Sequence, residues 1–331
     1  MPTTGALVDT FGRVHTDLRI SVTDRCNLRC TYCMADEAQT FLARDELLTF
    51  DEIERVARVA RSLGVTAVRL TGGEPLMRAG LVDLVARLGA LGFDDLALTT
   101  NGTALARSAP ALAAAGLDRV NVSCDSLRPE RFAAIRRHGE LGRVLAAMDA
   151  AEVAGLCPVK VNVVLQKGVN DDEILDFAAF ARATHREVRF IEFMPLEEDR
   201  LWSPEIVVPL SEIVARIGRV LPLVELPPRE ASETARRYTF ADGVGEIGII
   251  APVSQAFCGA CSRVRLTSDG KIRTCLFSQV EHDLYGSFRA GASDAELSAY
   301  ILRTVQGKEA RHHIGEPGFE KPSRNMVHIG G

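Results

Sequence analysis

The stretch that decides the fold is Leu18-Arg-Ile-Ser-Val-Thr-Asp-Arg-Cys-Asn-Leu-Arg-Cys-Thr-Tyr-Cys-Met34, where a short apolar run leads directly into three cysteines. The run at 18–22 predicts a β-strand. Cys26, Cys30 and Cys33 follow it within eight residues. A loop this short can present three thiolates to one iron–sulfur cube, whose fourth iron then lacks a protein ligand. Such an open iron is a position where chemistry can occur.

A zinc site or a set of inert buried thiols is the alternative for this loop. Structural zinc usually takes CxxC pairs from two separated knuckles, whereas CxxxCxxC supplies three ligands and no adjacent fourth. A second motif, Thr71-Gly-Gly-Glu-Pro75, follows a strand-like run at 67–70. Its glycines let a ligand approach the backbone closely, and Glu74 can accept hydrogen bonds from an ammonium group. The two motifs together favour iron and sulfur.

Paired in this way, the motifs resemble those of the radical S-adenosylmethionine (SAM) enzymes. In that family the CxxxCxxC loop holds a [4Fe–4S] cluster, and the open iron binds the amino and carboxylate groups of SAM. The resemblance implies that Cys26, Cys30 and Cys33 bind such a cluster. It also implies that electron transfer cleaves SAM to a 5′-deoxyadenosyl radical, which abstracts a hydrogen atom from the substrate.

Length and composition narrow the class of protein. The 331 residues can form a large core, and 39 basic against 44 acidic side chains argue against a general nucleic-acid or membrane-surface binder. No apolar stretch approaches the roughly 20 residues that span a bilayer, and no signal-peptide core is recognisable. We therefore expect a cytoplasmic protein with no nucleic-acid and no membrane partner. Cys124 and Cys157, outside the cysteine clusters, are expected to be buried thiols.

Strand-like and helix-like segments alternate from residue 18 to about residue 192. The strand-like runs are 18–22, 67–70, 96–99, 119–123, 159–165 and 188–192. The first helix is predicted to begin after Thr49 as N-cap, with Glu52 three residues on, and to end before Gly64. This alternation predicts an α/β fold with a parallel sheet. Six units are too few for a complete barrel, so we predict an incomplete (β/α)6 TIM-like barrel, with its site at the carboxyl ends of the strands.

A C-terminal extension follows the predicted barrel. We divide the chain into a barrel at 1–225 and an extension at 226–331, because Pro222, Pro227 and Pro228 interrupt the helical pattern. Short strands are predicted at 237–240 and 246–250, and Ser268-Asp-Gly270 is typical of a hairpin turn. We expect the extension to cover the open side of the barrel.

The extension carries a second set of three cysteines, Cys258, Cys261 and Cys275. Zinc is a serious alternative here, since His282 lies close enough in sequence to complete a Cys3His site. The first cysteine set favours iron and sulfur at this position too. A second three-cysteine set would again leave an iron open, in this case to a nitrogen or oxygen of a substrate.

Basic residues accompany the second set. Arg263 and Arg265 alternate on a predicted strand and therefore point the same way, so that they can form a fork for phosphate oxygens. Arg19, Lys160 and Arg189 also lie on predicted strands, where a buried cation needs an anionic partner. A substrate with several phosphates would provide that partner.

Nearly the whole chain is similar to the branch of the radical SAM family that acts on GTP in molybdenum cofactor biosynthesis. The similarity runs from residue 18 through Cys258-Gly-Ala-Cys-Ser-Arg-Val-Arg-Leu266 to Gly330-Gly331. It implies a second [4Fe–4S] cluster, on Cys258, Cys261 and Cys275, that contacts the guanine. It also implies that the radical takes hydrogen from ribose C3′ and that the resulting carbon radical attacks guanine C8. The product of this lyase reaction would be (8S)-3′,8-cyclo-7,8-dihydroguanosine 5′-triphosphate.

The same resemblance implies roles for individual residues. The implied SAM contacts are Tyr32, Gly72, Gly73, Glu74, Thr99, Ser123 and Met194. The implied GTP contacts are Arg19, Arg69, Lys160, Arg189, Arg263 and Arg265. The implied catalytic residues are Arg263, Arg265, Gly330 and Gly331, the last two in a tail that reaches the active site. Ala67 departs from the family, whose members often carry lysine there.

The resemblance further implies a homodimer, a reductant such as flavodoxin or ferredoxin, and transfer of the product to cyclic pyranopterin monophosphate synthase. Two other functions stay open from the sequence. A radical SAM maturase that modifies peptides would share the first cysteine motif but not the substrate. A metal-dependent regulator would bind nucleotides without cleaving SAM.

Overall fold

The computed structural model describes residues 5–34, 40–196 and 202–330. Within them the strands are β1 (Asp17–Ser21), β2 (Ala67–Thr71), β3 (Asp95–Thr100), β4 (Arg119–Ser123), β5 (Lys160–Leu165), β6 (Glu187–Glu192), β7 (Leu223–Leu226), β8 (Ala235–Phe240), β9 (Glu246–Ile250), β10 (Arg263–Leu266), β11 (Lys271–Arg273) and β12 (His282–Asp283). The α-helices are α1 (Phe50–Ser62), α2 (Leu81–Gly89), α3 (Leu105–Ala114), α4 (Pro129–Arg136), α5 (Leu141–Val153), α6 (Ile174–Thr184), α7 (Leu210–Gly218), α8 (Leu284–Arg289), α9 (Asp294–Gln306) and α10 (Met326–Ile329). Short 3-10 turns occupy Pro75–Met77, Asp171–Glu173, Pro204–Ile206 and Cys258–Ala260.

These strands form one sheet in the order β12-β11-β10-β1-β2-β3-β4-β5-β6-β9-β8-β7. Strands β1 to β6 are neighbours in sequence order and run parallel, as βαβ units require. The extension adds β10 beside β1 and β9 beside β6, again in parallel, and antiparallel strands complete both edges. The predicted α/β fold, an incomplete (β/α)6 barrel with a C-terminal extension, is confirmed.

Alternation along the strands separates an apolar face from a polar one. Leu18 and Ile20 of β1 are buried in the main hydrophobic core, together with Val68 and Leu70 of β2. The side chains between them point to the opposite face of the sheet, because successive residues of a strand alternate. The helices cover the apolar face, and the polar face is left for the site.

Helix α1 begins as the sequence predicts. The Thr49 hydroxyl accepts a hydrogen bond from the Glu52 amide at 3.2 Å, and the Glu52 carboxylate accepts one from the Thr49 amide at 2.7 Å. This capping box satisfies two amides that the helix itself leaves unpaired. Ile53 and Val56 then join the main core.

Two further expectations can be compared with the structure. The turn at 268–270 joins antiparallel β10 and β11 as predicted. Cys124 is buried, but the prediction for Cys157 was wrong, because Cys157 lies in the loop that joins α5 to β5 and is exposed.

No helix in the described parts of the chain has the length and apolar character needed to cross a membrane.

Glu192, at the end of β6, ties the barrel to the extension. Its side chain is fully buried. The carboxylate accepts hydrogen bonds from the amides of Leu210 at 3.1 Å, Val253 at 2.8 Å and Ser254 at 2.9 Å, and from the Ser254 hydroxyl. One carboxylate thus holds the start of α7 and the loop after β9 in place.

We predict that Glu192→Ala lowers the free energy of unfolding by about 3 kcal/mol, because it leaves several buried donors without a partner. Glu192→Gln keeps one acceptor oxygen and is expected to cost less. The measurement is urea unfolding followed by circular dichroism.

The exposed Glu225, which lies 3.9 Å from Arg236, provides the control. Glu225→Ala should change stability by less than about 1 kcal/mol, as expected for a surface ion pair. Equal stabilities for Glu192→Ala and Glu225→Ala would contradict the account.

Candidate functional site

A cavity on the polar face of the sheet brings together most of the residues that the sequence singles out. Six of the eight cysteines line it, and all eight are free of disulfide bonds. The predicted site residues in its wall are Arg19, Cys26, Cys30, Tyr32, Cys33, Arg69, Gly72, Gly73, Thr99, Ser123, Arg189, Met194, Cys258, Cys261, Arg263, Arg265 and Cys275. Glu74, Lys160 and Gly330 lie beside this wall rather than in it.

The two glycines after β2 pack directly against the chain that leads into the first cysteine set. The Gly73 amide donates to the Thr23 carbonyl at 2.7 Å. A Cβ atom on Gly72 would lie 2.5 Å from the Thr23 carbonyl oxygen, and one on Gly73 would lie 2.4 Å from that of Arg25. No side chain fits there, so the motif serves the close approach of two backbones.

Glu74 is buried and serves the protein itself. Its carboxylate accepts hydrogen bonds from the Thr100 hydroxyl and the Asn101 amide, both at 2.7 Å, and from the Leu76 amide at 3.1 Å. Burial raises the pKa of Glu74, although these hydrogen bonds oppose the shift. The side chain therefore joins the ends of β2 and β3, next to Gly73.

Asp125 fixes the first cysteine loop from the side of β4. Its carboxylate accepts a hydrogen bond from the Tyr32 hydroxyl at 2.9 Å and one from the Val164 amide at 3.0 Å. Arg136 Nη2 lies 2.7 Å from the same carboxylate, and both side chains are almost fully buried. The Thr31 amide also donates to the Ile135 carbonyl. These contacts hold the loop against β4, β5 and α4.

Burial is the main influence on the pKa values of the three thiols in the first cysteine set. It raises the pKa of Cys26 to about 11 and raises those of Cys30 and Cys33 as well. Buried thiols lose their protons readily only when a cation replaces them, and metal ions do this. Three such thiols facing a cavity suit an iron–sulfur cluster.

Three arginines stand side by side on the cavity face of neighbouring strands. The register places Arg19 of β1 opposite both Arg69 of β2 and Arg265 of β10. Adjacent strands lie about 4.8 Å apart, and residues in register point the same way. Among the described residues, the buried Nε atoms of Arg19 and Arg69 have no hydrogen-bond partner. Asp17 lies 3.9 Å from Arg19 Nε, which is too far for a hydrogen bond.

This row of Arg19, Arg69 and Arg265 is electrostatically costly. Burial lowers the pKa of Arg19 and of Arg69 to about 9, with further lowering by neighbouring guanidinium groups. Burial and then Arg263 lower the pKa of Arg265 to about 10. Each shift expresses the free-energy cost of keeping a positive charge there. A bound polyanion would remove that cost.

Lys160 and Arg189, on β5 and β6, share one carboxylate. Glu187 Oε2 lies 3.1 Å from Lys160 Nζ, and Glu187 Oε1 lies 2.5 Å from Arg189 Nε. Burial would raise the pKa of Glu187, but Arg189 and Lys160 lower it to about 2. Burial and Arg189 together lower the pKa of Lys160 to about 8. These two cations are therefore neutralised in part by the protein.

The second cysteine set lies at the opposite end of the strands from the first. β1 and β10 run parallel, and the first set follows the carboxyl end of β1. Cys258 and Cys261 precede the amino end of β10, and Cys275 follows the antiparallel β11 to the same end. The five residues of β1 span about 16 Å at ~3.3 Å per residue. The cavity runs between the two sets, past the arginine row.

Cys261 is surrounded by cations. Arg263 Nη2 lies 3.2 Å from its sulfur, and Lys308 Nζ lies 3.4 Å from it. Burial alone would raise the pKa of Cys261, but Arg263 and Lys308 lower it to about 6. This cysteine is thereby prepared as a thiolate, the form that binds metal.

The histidine considered as a zinc ligand is not part of this wall. His282 lies in β12, whereas Cys258, Cys261 and Cys275 line the cavity. Within residues 5–34, 40–196 and 202–330, no three His, Cys, Asp or Glu side chains are grouped closely enough to hold a single metal ion.

The C-terminal tail folds back into the site. Arg265 Nη1 donates a hydrogen bond to the Gly330 carbonyl. Gly330 has a φ of +80°, and a Cβ atom there would lie 2.7 Å from Thr71 Oγ1 and 3.0 Å from Ser21 Cβ. Only glycine fits this position without displacing its neighbours. Gly331 lies outside the described residues.

Two kinds of contact hold the tail in place. Arg324 forms ion pairs with Asp269 at 2.7 Å and with Glu281 at 3.1 Å. Ile329 packs in a small second core that includes Phe277. The tail is thus anchored at the turn after β10 by Arg324 and beside Cys275 of the second cysteine set by Ile329.

Sequence reasoning missed several residues of the wall, among them Arg13, Arg136 and Lys308. No motif marks any of them. Lys308 is 47 residues from Cys261, and Arg13 reaches the Cys258 carbonyl across 245 residues. Only the folded chain brings such positions together.

Both halves of the chain match known protein families. Residues 20–181 match the radical SAM superfamily, and residues 186–314 match the family described as Molybdenum Cofactor Synthesis C. A protein from Streptomyces coelicolor named GTP 3′,8-cyclase is 48% identical over 98% of this chain and 96% of its own. A protein of the same name from Moorella thermoacetica is 46% identical over 98% of this chain and 99% of its own.

Solved structures with the same fold include Streptococcus suis SuiB, with a TM-score of 0.64 over 90% of this chain and 68% of that one. Its sequence is 14% identical to this chain, so the likeness concerns the fold alone. The full-length identity to the curated relatives is far higher. The chain belongs to the GTP 3′,8-cyclase family of the radical SAM superfamily.

Proposed function

We propose that this chain converts GTP into (8S)-3′,8-cyclo-7,8-dihydroguanosine 5′-triphosphate, the first step of molybdenum cofactor biosynthesis. Family membership supports the reaction. The observation that carries the proposal is the cavity itself, which has three cysteines at each end and a row of incompletely paired arginines between them. A triphosphate is an anion of the size and charge that such a row lacks.

Cys26, Cys30 and Cys33 would hold the first [4Fe–4S] cluster, and Cys258, Cys261 and Cys275 the second. When bound there, the first cluster and SAM would supply the radical chemistry that removes the C3′ hydrogen of GTP. The protein would bind SAM through Tyr32, Gly72, Gly73, Thr99, Ser123 and Met194. Glu74 would support these SAM contacts indirectly, because its hydrogen bonds to Thr100 and Asn101 hold the end of β3 in place.

The cations would hold the nucleotide. Arg19, Arg69 and Arg265 present their guanidinium groups on one level of the sheet, where phosphate oxygens can bridge neighbouring strands. Arg189 and Lys160 face them from β6 and β5. A phosphate that approaches this pair competes with Glu187 for both cations. Binding the triphosphate there would release part of the Glu187 pairing.

The second cysteine set and the tail would orient the base. Guanine would contact the second cluster, beside Arg263. Arg263 and Arg265 would assist the closing reduction of the cyclised nucleotide, which takes up one electron from the reductant and one proton. Gly330 and Gly331 would keep Arg265 in position, as the hydrogen bond from Arg265 to the Gly330 carbonyl suggests.

Positioning matters more than acid–base catalysis in this reaction. A primary carbon radical reacts with whatever lies nearest, so the ribose, the base and the radical carbon must be held in line and water kept out. The buried arginines and the inserted tail serve both needs. They fix the nucleotide and close the cavity.

Further parts of the proposal rest on the family alone. They are a homodimer, a flavodoxin or ferredoxin reductant, delivery of the product to cyclic pyranopterin monophosphate synthase, and a cytoplasmic location. We also propose that the barrel ends near residue 225. The strands after that point flank both edges of the six-stranded barrel sheet, which supports this division.

The decisive experiment is anaerobic. The protein is reconstituted with iron and sulfide, reduced with dithionite and given SAM with each nucleoside triphosphate in turn. We expect 5′-deoxyadenosine and a cyclised isomer of GTP, both detected by mass spectrometry, with GTP alone. SAM cleavage that is indifferent to the nucleotide would overturn the substrate, and would leave a peptide-modifying maturase open. GTP binding without SAM cleavage by the iron-loaded protein would favour a regulator.

Removing one arginine of the row should stabilise the free protein and weaken the nucleotide complex. We predict that Arg69→Met raises the melting temperature of the GTP-free chain, because it relieves repulsion from Arg19. In the wild type, GTP at 100 times its Kd should raise the free energy of unfolding by about 3 kcal/mol and so raise the melting temperature. In Arg69→Met, the rise in melting temperature on adding the same concentration of GTP should be smaller.

The exposed Arg219, at the end of α7, serves as the matched control. Arg219→Met should leave both melting temperatures at the wild-type values. An unchanged GTP effect in Arg69→Met would remove Arg69 from the triphosphate site.

A methyl group on Gly330 should displace the tail. We predict that Gly330→Ala lowers the rate of GTP cyclisation at least tenfold, because its Cβ collides with Thr71 and Ser21. Iron content should stay at the wild-type level.

Gly318 is the matched control, since it has a similar φ of +83° but no atom within 4 Å of its Cβ position. Gly318→Ala carries the same backbone strain without the collision and should keep its activity. Equal activities for the two variants would argue against a docked tail.

A further inference from the structure

Lys308 is a buried cation whose ammonium group faces sulfur. Only 4% of the residue is exposed. Its Nζ atom donates to the Arg263 carbonyl at 2.6 Å and to Cys261 Sγ at 3.4 Å. Burial lowers the pKa of Lys308, whereas Cys261 and Cys275 oppose this shift, and Lys308 in turn helps to lower the pKa of the neighbouring Glu309 carboxyl. No carboxylate of the described residues forms an ion pair with the Lys308 Nζ atom. A buried ammonium group needs an anionic partner.

The chain around Lys308 is held in place from three sides. The Lys308 amide continues from the end of α9 with a hydrogen bond to the Val305 carbonyl at 3.0 Å. Arg13 donates to the carbonyls of Glu309 at 2.6 Å and Ala310 at 2.8 Å. The Thr274 hydroxyl donates to the Glu309 carboxylate at 2.7 Å. The ammonium group is therefore preorganised, and holding it beside Cys261 costs little free energy.

The first cysteine set has different donors among the described residues. The donors to Cys26 Sγ are neutral, namely the Leu28 amide at 3.4 Å and the Asn101 side chain at 3.9 Å. Arg136 is a charged donor to Cys30, but it also has a carboxylate partner in Asp125 at 2.7 Å. The charged donor at Cys30 is thus shared with a carboxylate by an ion pair, whereas the ammonium group at Cys261 is not.

We infer that Lys308 is the counter-ion of the second cluster and sets its reduction potential above the value that the cysteines alone would give. This inference rests on the proposed second cluster. Reduction of [4Fe–4S]2+ to [4Fe–4S]+ adds one electron from the reductant and one negative charge beside Nζ, and a charge-assisted hydrogen bond stabilises that charge. Lys308 is a positioning residue, since its ammonium group contacts Cys261 and the Arg263 carbonyl and acts on the reaction through the cluster.

The test is a redox titration of the anaerobically reconstituted full chain with dithionite, followed by electron paramagnetic resonance. The signal of the second cluster is the one that Cys275→Ala removes, and the first cluster serves as an internal reference. In Lys308→Met, the ratio of reduced to oxidised second cluster at a fixed potential should fall about tenfold, which is a shift of 59 mV for one electron. The first cluster should not shift.

Lys308→Arg should restore most of the potential, because it keeps a charged donor. Lys167→Met removes a positive charge from an exposed pair with Glu212 and should leave both potentials unchanged. A wild-type potential in Lys308→Met would overturn the inference. If Lys308→Met cannot hold the cluster, Lys308→Gln decides, with a lowered potential supporting the inference and an unchanged one overturning it.

Iron analysis separates this inference from the proposed function. A wild-type chain that holds one cluster would overturn both. If the wild-type chain holds two clusters and the Lys308 variants have the wild-type reduction potentials, the inference alone would be overturned.

Discussion

Three guanidinium groups held side by side inside a sheet are the constraint on which the rest of this structure depends. Arg19, Arg69 and Arg265 occupy one level of three neighbouring strands, where their charges repel and burial removes water. A protein keeps such an arrangement only if something anionic completes it. Under the proposed function, a polyanion would complete the row and be bound in one orientation, and the free chain would be less stable in exchange.

The extension makes that arrangement possible. The six-stranded barrel alone supplies Arg19 and Arg69, and β10 adds Arg265 at the same level because it pairs in parallel with β1. The same strand carries the second cysteine set to the end opposite the first. The sheet therefore determines both the charge of the cavity and the distance between its two sulfur-lined ends. Glu192 and the tail then fix the extension on the barrel.

What could be predicted from the sequence was local. The capping box at Thr49 and the CxxxCxxC loop depend on residues a few positions apart, and both were recognised. Spacing and strand alternation also singled out the second cysteine set and several basic residues. The resemblance supplied the other candidate residues, and most of the candidates line one cavity. The register of Arg19 with Arg265, the pairing of Arg136 with Asp125 and the contact of Lys308 with Cys261 depend on distant segments. No periodicity reveals them, because tertiary packing alone creates these neighbours.

The most direct test of the account is the metal content of the two sulfur-lined ends. Iron and acid-labile sulfide are counted in the anaerobically reconstituted protein and in a variant with Cys258, Cys261 and Cys275 all changed to alanine. The account predicts about eight iron atoms per chain in the wild type and about four in the variant, since each set holds one [4Fe–4S] cluster. About four iron atoms in both proteins, or zinc bound by the second set, would contradict it.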